Sequence, residues 1–167
     1  MNNVYVHLTN YAVNKDNVNF RMATGMEDDK SHKRSLKKVL QRIRSEDHDT
    51  DRLMGDIKDI IIKTLFSAQV ELSHNYRSCC PSDLEGLMAF EILGFDIIID
   101  SKCKPYLLEV NHAPSFSTDS PLDYEIKKNL FVDTFRLLGM TIDRKKIKLN
   151  ALYEEKKQRM MTKLSLK

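Results

Sequence analysis

The sequence has few cysteines, few glycines and no long apolar run. Its three cysteines, two of them adjacent at Cys79 and Cys80, lack zinc-ligand spacing, so we expect free thiols in a reducing compartment. The five glycines are scattered, which excludes a glycine-rich phosphate-binding loop. The opening "MNNVYVHLTNYAVNK" has neither the pattern of a signal peptide nor that of a membrane span. We therefore expect a cytoplasmic protein without a membrane partner.

The composition favours one globular unit. With 167 residues, of which 41% are hydrophobic and 31% charged, the chain is long enough for one domain with a core, or for a piece of a larger domain. The formal charge of +3 is small but conceals local basic clusters, so an acidic partner is compatible with it. We expect a monomer that binds no nucleic acid.

The first half of the chain alternates between expected elements and polar loops. "VYVHL" (Val4 to Leu8) favours a strand, and the polar segment from Asn14 to Asp29 favours a loop. In "KSHKRSLKKVLQRIR" apolar residues recur at helical spacing among basic ones, which predicts a basic amphipathic helix. Asp49, Thr50 or Asp51 can cap a longer helix, and "SHNYRSCCPSD" suggests irregular structure. That longer helix is expected to bury Leu53, Ile57, Ile60, Ile61, Leu65 and Ala68.

Two strand-like runs in "FEILGFDIIIDSKCKPYLLEVNHAPSF" (Phe90 to Phe116) predict a β-hairpin. A four-residue loop from Ser101 to Lys104 would pair Asp100 with Pro105, and counting back along both strands sets Asp96 opposite Glu109. Asn111 follows Glu109 by two residues and shares its face. Opposed carboxylates repel each other, but beside an amide oxygen they form an oxygen-only site suited to Mg²⁺. The alternative is a solvent-exposed face of the sheet.

A helix and a basic tail follow the hairpin. Ser120 can cap a helix that has Pro121 at its first position and Asp123 at its third. The tail from Asp143 to Lys167 predicts an exposed basic helix, either simply solvated or in contact with an acidic partner. The apolar residues expected to form the buried side of the helix after Ser120 are Ile126, Leu130, Phe135 and Leu138.

Four motifs together resemble one enzyme family. "HLTNYAVNK", "FEILGFDIIID", "YLLEVNHAPSF" and "DSPLD" occur in the order and approximate spacing of the tubulin-tyrosine-ligase-like family, and "NHAPSF" is more similar to its polyglutamylating branch. The resemblance implies an α+β fold, the C-terminal part of an ATP-grasp domain over residues 1–140, with a basic helical tail over residues 141–167. It also implies that catalysis needs an N-terminal lobe, and no such lobe lies upstream of "VYVHL" in this sequence.

The resemblance also implies roles for individual residues. His112 matches a histidine that positions the acceptor glutamate in glutamylases, and the alternative from the residue alone is a packed histidine. The residues that match nucleotide-proximal positions are Thr9, Asn10 and Lys15, and those that match Mg²⁺ and ATP-phosphate ligands are Asp96, Glu109 and Asn111.

The implied reaction is an ATP-dependent ligation. A glutamate side chain of an acidic tubulin tail would be phosphorylated by ATP, and the amine of free glutamate would then displace phosphate. The family also implies a location on cytoplasmic or ciliary microtubules. A second interpretation is a shortened, non-catalytic module that binds acidic tubulin tails through its basic helices, by electrostatic attraction that salt would weaken.

Overall fold

The computed structural model describes residues 10–83 and 89–165, together with Tyr5 and Gly86. The fold is α+β, as predicted. Most of the strand predicted for Val4 to Leu8 lies outside the described residues, but the prediction is wrong at Tyr5, which is helical. Along the chain the elements are α1 (Tyr11–Asn14), α2 (Leu36–Ser45), α3 (Thr50–Cys79), β1 (Gly94–Ile99), β2 (Pro105–Asn111), α4 (Pro121–Leu137) and α5 (Ile142–Ser165).

The chain divides into two compact units, residues 1–125 and residues 126–167. The first unit contains the loop after α1, helices α2 and α3, the hairpin and the first turn of α4. The second contains the remainder of α4 and helix α5. Among the described residues, no helix is both long and apolar enough to cross a membrane. The division at residue 140 that the resemblance implies remains a prediction.

Side-chain caps begin three of the helices, and those at Asp49 and Ser120 lie where the sequence predicts them. The Ser35 hydroxyl accepts a hydrogen bond from the Lys38 amide at the start of α2. The Asp49 carboxylate accepts from the amides of Asp51 and Arg52, at 3.0 and 2.9 Å, at the start of α3. At α4 the Ser120 hydroxyl accepts from the Asp123 amide at 3.2 Å. Each cap satisfies amides that have no partner within the helix.

Helix α3 is longer than predicted. The segment from Ser73 to Cys79, expected to be irregular, continues the helix. The helix ends at Cys80, where φ is −127° and ψ is 61°, directly before Pro81. A residue that precedes proline is disfavoured in the helical region. Pro81 therefore ends the helix, whereas the polar residues before it do not interrupt it.

The buried core is small and lies in the first unit. Among the described apolar side chains, Ala23, Leu53 and Leu122 are buried. The predicted apolar side of α3 is buried at Leu53 but exposed at Leu65 and Ala68. The predicted buried side of α4 is wrong for Ile126, Leu130 and Phe135, which are exposed, while Leu138 is half-buried. Helical periodicity identifies an apolar side correctly, but it does not establish that another element covers that side.

The hairpin has the predicted strands but a different register near its turn. Ile99, not Asp100, pairs with Pro105, and Ile97 pairs with Leu107. A register shift between Asp96 and Ile97 leaves Leu108 without a partner in β1, which is the extra residue of a β-bulge. Beyond the bulge Asp96 pairs with Glu109. The predicted pairing of these two carboxylates is therefore confirmed, although the register assumed at the turn is wrong.

The turn of the hairpin is organised by one carboxylate. Asp100 accepts hydrogen bonds from the amides of Lys102 and Lys104, both at 2.9 Å, and from the Tyr106 hydroxyl at 3.2 Å. The bond from the Lys104 amide, followed by those from Lys102 and Tyr106, lowers the pKa of Asp100. Cys103 takes a positive φ of 58°, the conformation that a three-residue hairpin loop requires at its last position.

Candidate metal and nucleotide site

The paired carboxylates lie at the end of the hairpin that is away from the turn. Asp96 in β1 faces Glu109 in β2, and the Asn111 amide Nδ2 donates a hydrogen bond to Glu109 Oε1 at 3.3 Å. Asp96 and Glu109 are exposed, whereas Asn111 is half-buried. Strand alternation and cross-strand pairing thus bring three oxygen-bearing side chains together.

The local electrostatics disfavour a full negative charge on Asp96. Although Asp96 is exposed, neighbouring atoms remove part of its hydration, and this desolvation raises its pKa. The hydrogen bond and negative charge of Glu109 raise the pKa of Asp96 further, while a hydrogen bond from Asn111 lowers it. Two carboxylates on facing strands repel each other when both are ionised. A bound cation would remove this repulsion and favour the ionised form of both groups.

Gly94 allows the chain after β2 to approach the hairpin closely. The pattern of carboxylates in the sequence does not predict this close approach. Gly94 pairs with Asn111. A Cβ atom at position 94 would lie 3.2 Å from the Pro114 Cβ and 3.6 Å from the Asn111 Cβ. The first distance is shorter than an ordinary van der Waals contact. The only sequence signal is a glycine at the start of a strand, a position that often marks close backbone approach.

The donor set fits Mg²⁺ better than it fits a softer metal. Within the described part of the chain, no group of three or more His, Cys, Asp or Glu side chains could hold a metal ion. Two carboxylates and one amide are too few to enclose a cation, but Mg²⁺ usually takes one or two protein carboxylates and completes its shell with water and phosphate oxygens. Asp96, Glu109 and Asn111 suit a metal that a nucleotide shares.

The other predicted site residues are not joined to this cluster. His112 is exposed, and its side chain has no hydrogen bond to a described residue. Asn10 and Lys15 lie at the two ends of α1, and among residues 10–83 and 89–165 no hydrogen bond or ion pair links them to Asp96, Glu109 or Asn111. Thr9 lies outside the described residues. The structure thus brings together the three predicted metal ligands, while the predicted nucleotide contacts stay predictions.

A partly buried ion pair links the segment after α1 to the start of α4. The Lys33 ammonium lies 2.7 Å from the Asp123 carboxylate, whose side chain is only 8% exposed, and 4.5 Å from the centre of the Tyr11 ring. Asp123 also accepts a hydrogen bond from the Ser120 hydroxyl at 2.7 Å. The cap predicted from "DSPLD" therefore also anchors the loop between α1 and α2, which sequence reasoning missed.

Comparison with known proteins agrees with the motifs. The profile of the tubulin-tyrosine ligase family matches residues 1–148. A probable beta-tubulin polyglutamylase of Tetrahymena thermophila is 51% identical over 158 residues, which cover 94% of this chain and 13% of that protein. A tubulin polyglutamylase of Mus musculus is 48% identical, covering 96% of this chain and 19% of that protein. A tubulin polyglutamylase of Danio rerio is 45% identical, with coverage of 98% and 20%.

The chain thus spans about a fifth or less of the length of these relatives. The family profile nevertheless covers most of the chain, and it includes the hairpin with its paired carboxylates. The chain belongs to the tubulin-tyrosine ligase family.

Proposed function

We propose that this chain contributes the metal-binding part of an ATP-dependent ligase that adds glutamate to glutamate side chains of tubulin tails. The observation that carries the proposal is the pairing of Asp96 with Glu109 beside Asn111. The relatives are named as tubulin polyglutamylases, which supports tubulin as the substrate. A location on microtubules, including those of cilia, belongs to the same proposal.

The chemistry assigns a role to each residue of the site. Asp96, Glu109 and Asn111 would hold Mg²⁺, which supplies charge stabilisation to the phosphate oxygens of ATP when it is bound. An acceptor carboxylate oxygen attacks the γ-phosphorus and ADP leaves; the amine of free glutamate then attacks the acyl carbon and phosphate leaves. His112, exposed beside Asn111, is available to orient the acceptor side chain. Thr9, Asn10 and Lys15 would contact the nucleotide.

Calorimetric titration with Mg²⁺ and a non-hydrolysable ATP analogue tests the metal site. The wild-type chain should bind, and Glu109→Ala and Asp96→Ala should each lose binding, because one carboxylate and an amide are too few to retain the cation. Glu125→Ala removes an exposed carboxylate elsewhere and should bind as the wild type does. Equal binding by all four proteins would contradict the assignment of the metal site to the hairpin. A glutamylation assay of a longer polypeptide that contains this chain would then test the reaction separately.

A second candidate function is non-catalytic binding of acidic tubulin tails. The ion pairs of the structure favour α5 over α2 as the helix that would bind them. The basic side chains around α2 are largely neutralised: Lys33, Lys38 and Arg42 each have a carboxylate partner at 2.7 Å, and Arg44 has one at 3.0 Å. In contrast, no ion pair with a described residue involves Lys145, Lys146, Lys148, Lys156 or Lys157.

Binding to a polyglutamate peptide separates the two functions. Under the second candidate, binding weakens as salt rises, survives Asp96→Ala and is lost in Lys156→Glu/Lys157→Glu. The pair Lys37→Glu/Lys38→Glu, which changes the charge of α2 equally, is the matched control and should have the smaller effect. Loss of binding in the α2 variant alone would contradict the assignment to α5.

A further inference from the structure

Lys33 contacts two parts of the first unit that are far apart in the sequence. Its ammonium lies 2.7 Å from the Asp123 carboxylate at the start of α4 and 4.5 Å from the centre of the Tyr11 ring in α1. The Lys33 side chain is 39% exposed and that of Asp123 is 8% exposed. Because partial exclusion of water strengthens both contacts, Lys33 acts as a link between α1 and α4.

The loop that precedes Lys33 holds this lysine against α1. The Phe20 ring lies edge-on to the Tyr11 ring, with centres 5.8 Å apart, and stacks on the His32 ring at 5.3 Å. The Arg21 amide donates a hydrogen bond of 3.0 Å to His32 Nδ1, and the His32 amide donates one of 3.2 Å to the Arg21 carbonyl. The loop and α1 are thus packed together, and the Lys33 ammonium joins them to α4.

On the α4 side, the same ion pair anchors the far end of the segment that follows the paired carboxylates. Residues 112–119 form neither helix nor strand. They begin directly after Asn111 and end at Ser120, which is 5% exposed and donates a hydrogen bond of 2.7 Å to Asp123. Between these ends, Pro114 closely approaches Gly94 of β1. A segment without regular structure takes its position from such contacts, so its arrangement depends on the anchor at Asp123.

We propose that Lys33 is a positioning residue that keeps α1 and residues 112–119 in a fixed arrangement. Helix α1 lies between the predicted nucleotide contacts Asn10 and Lys15, and residues 112–119 begin with His112, beside the predicted metal ligand Asn111. An arrangement that is fixed in advance reduces the cost of ordering these groups when metal and nucleotide bind together. The link itself is a property of the fold, and its consequence for the site rests on the proposed function.

Hydrogen exchange of the chain without metal or nucleotide tests the link. Lys33→Met keeps an unbranched side chain of similar length but removes its charge, so we expect about tenfold faster exchange of the amides of residues 112–119 and of α1 together. Lys38→Met is the matched control, because it removes an ion pair of the same 2.7 Å length, to Glu27, and should leave both segments unchanged. Unchanged exchange in Lys33→Met, or equally faster exchange in both variants, would overturn the proposal.

Two further variants separate positioning from stability. Lys33→Met/Asp123→Asn leaves no unpaired charge in the partly buried site, and should show the faster exchange even where Lys33→Met alone does not fold. Lys33→Arg keeps a cation that can meet both the carboxylate and the Tyr11 ring, and should restore the exchange of the wild type. Exchange in Lys33→Arg as fast as in the double variant would overturn the proposal.

The proposed function supplies a second measurement, by calorimetric titration with a non-hydrolysable ATP analogue. Mg²⁺ should raise the affinity for the analogue, and we expect Lys33→Met to reduce this enhancement at least about fivefold, while Lys33→Arg keeps it. A purely stabilising role would lower the affinities with and without Mg²⁺ equally. If the wild type binds no analogue, the proposed function fails, and the exchange experiment still tests the link. An unchanged enhancement in Lys33→Met would overturn the role of Lys33 in positioning the site.

Discussion

Single carboxylates organise the loops of the first unit. Asp28 accepts hydrogen bonds from the amides of Thr24, Lys30 and Ser31 at 3.0, 2.9 and 3.1 Å, and another from the Thr24 hydroxyl at 3.0 Å. These bonds, with that from the Thr24 amide the largest, lower the pKa of Asp28 to about 2. The loop between α1 and α2 thus depends on a carboxylate that must stay ionised.

Acid titration of the folded chain should reveal this dependence. Because the pKa of Asp28 is lower in the folded chain than in the unfolded one, its ionised form stabilises the fold above about pH 4, and that contribution is lost as the pH falls from about 4 towards 2. Urea unfolding at a series of pH values should show a smaller loss over this window for Asp28→Asn than for the wild type. Asp29→Asn, next to it, should follow the wild type; identical curves for all three would contradict the role of Asp28.

Replacing Asp96 should separate stability from function. Asp96→Asn removes the repulsion with Glu109 while keeping the size of the side chain, so without metal the free energy of unfolding should be unchanged or slightly higher, by up to about 1 kcal/mol. Binding of Mg²⁺ with an ATP analogue should be lost. Urea unfolding and calorimetry measure the two effects, and a variant that unfolds more easily without metal would contradict repulsion at this pair.

At the scale of elements, the hairpin turn contains a residue in a disfavoured conformation. Cys103 has a φ of 58°, which costs a residue with a side chain about 1 kcal/mol relative to glycine. Cys103→Gly should therefore raise the free energy of unfolding by up to about 1 kcal/mol, measured in urea. Lys102→Gly changes the preceding position, where φ is not positive, and should lower the free energy of unfolding. Stabilisation by both changes would show that the positive φ of Cys103 is not the cause.

The ion pair that joins the loop after α1 to α4 should be among the more important single contacts. Asp123→Ala leaves the Lys33 ammonium without its partner and the Ser120 hydroxyl without its acceptor, so we expect a loss of about 2–3 kcal/mol in the free energy of unfolding. Arg42→Ala breaks the exposed pair with Glu46, which is 2.7 Å long, and should cost about 0.5 kcal/mol or less. Similar losses in urea for the two variants would show that burial of Asp123 adds nothing.

Sequence reasoning succeeded where the physical cause is local. Caps at Asp49 and Ser120 act within one turn, and strand alternation relates Glu109 to Asn111 over two residues, so both follow from the sequence. The bulge at Leu108 does not, because nothing in "PYLLEVN" marks which residue loses its partner. The predicted Asp96 and Glu109 pair was obtained with a register at the turn that is wrong by one residue, an error that the bulge cancels.

At the scale of the whole molecule, burial was the property least accessible from sequence. Apolar periodicity in α3 and α4 predicts one covered side for each, but what covers a side depends on the arrangement of distant elements. Ile126 and Phe135 are 40% and 46% exposed despite their helical spacing. The same limit applies to charge. Helices α2 and α5 are both basic in sequence, but Lys38, Arg42 and Arg44 of α2 have carboxylate partners, whereas Lys156 and Lys157 of α5 have none among the described residues.

The opposite charges of the two units predict self-association at low salt. Residues 1–125 carry 15 Lys and Arg against 20 Asp and Glu, a net charge of −5, whereas residues 126–167 carry 12 against 4, a net charge of +8. These charges allow the second unit of one molecule to attract the first unit of another. Light scattering should detect association at about 0.01 M ionic strength that disappears by about 0.15 M, where screening is strong. Lys145→Glu/Lys146→Glu should reduce it, and association that persists in high salt would point to apolar contacts instead.

The same asymmetry means that the isoelectric point near 8.7 describes neither half of the molecule. A chain with a net charge of −5 in one part of its sequence and +8 in the other has an uneven charge distribution. A polyanion therefore attracts the positively charged part. Under the proposed function, an acidic partner would therefore be attracted by residues 126–167 and repelled by residues 1–125. In that proposal, the encounter with the partner and the chemistry would depend on different segments of the chain.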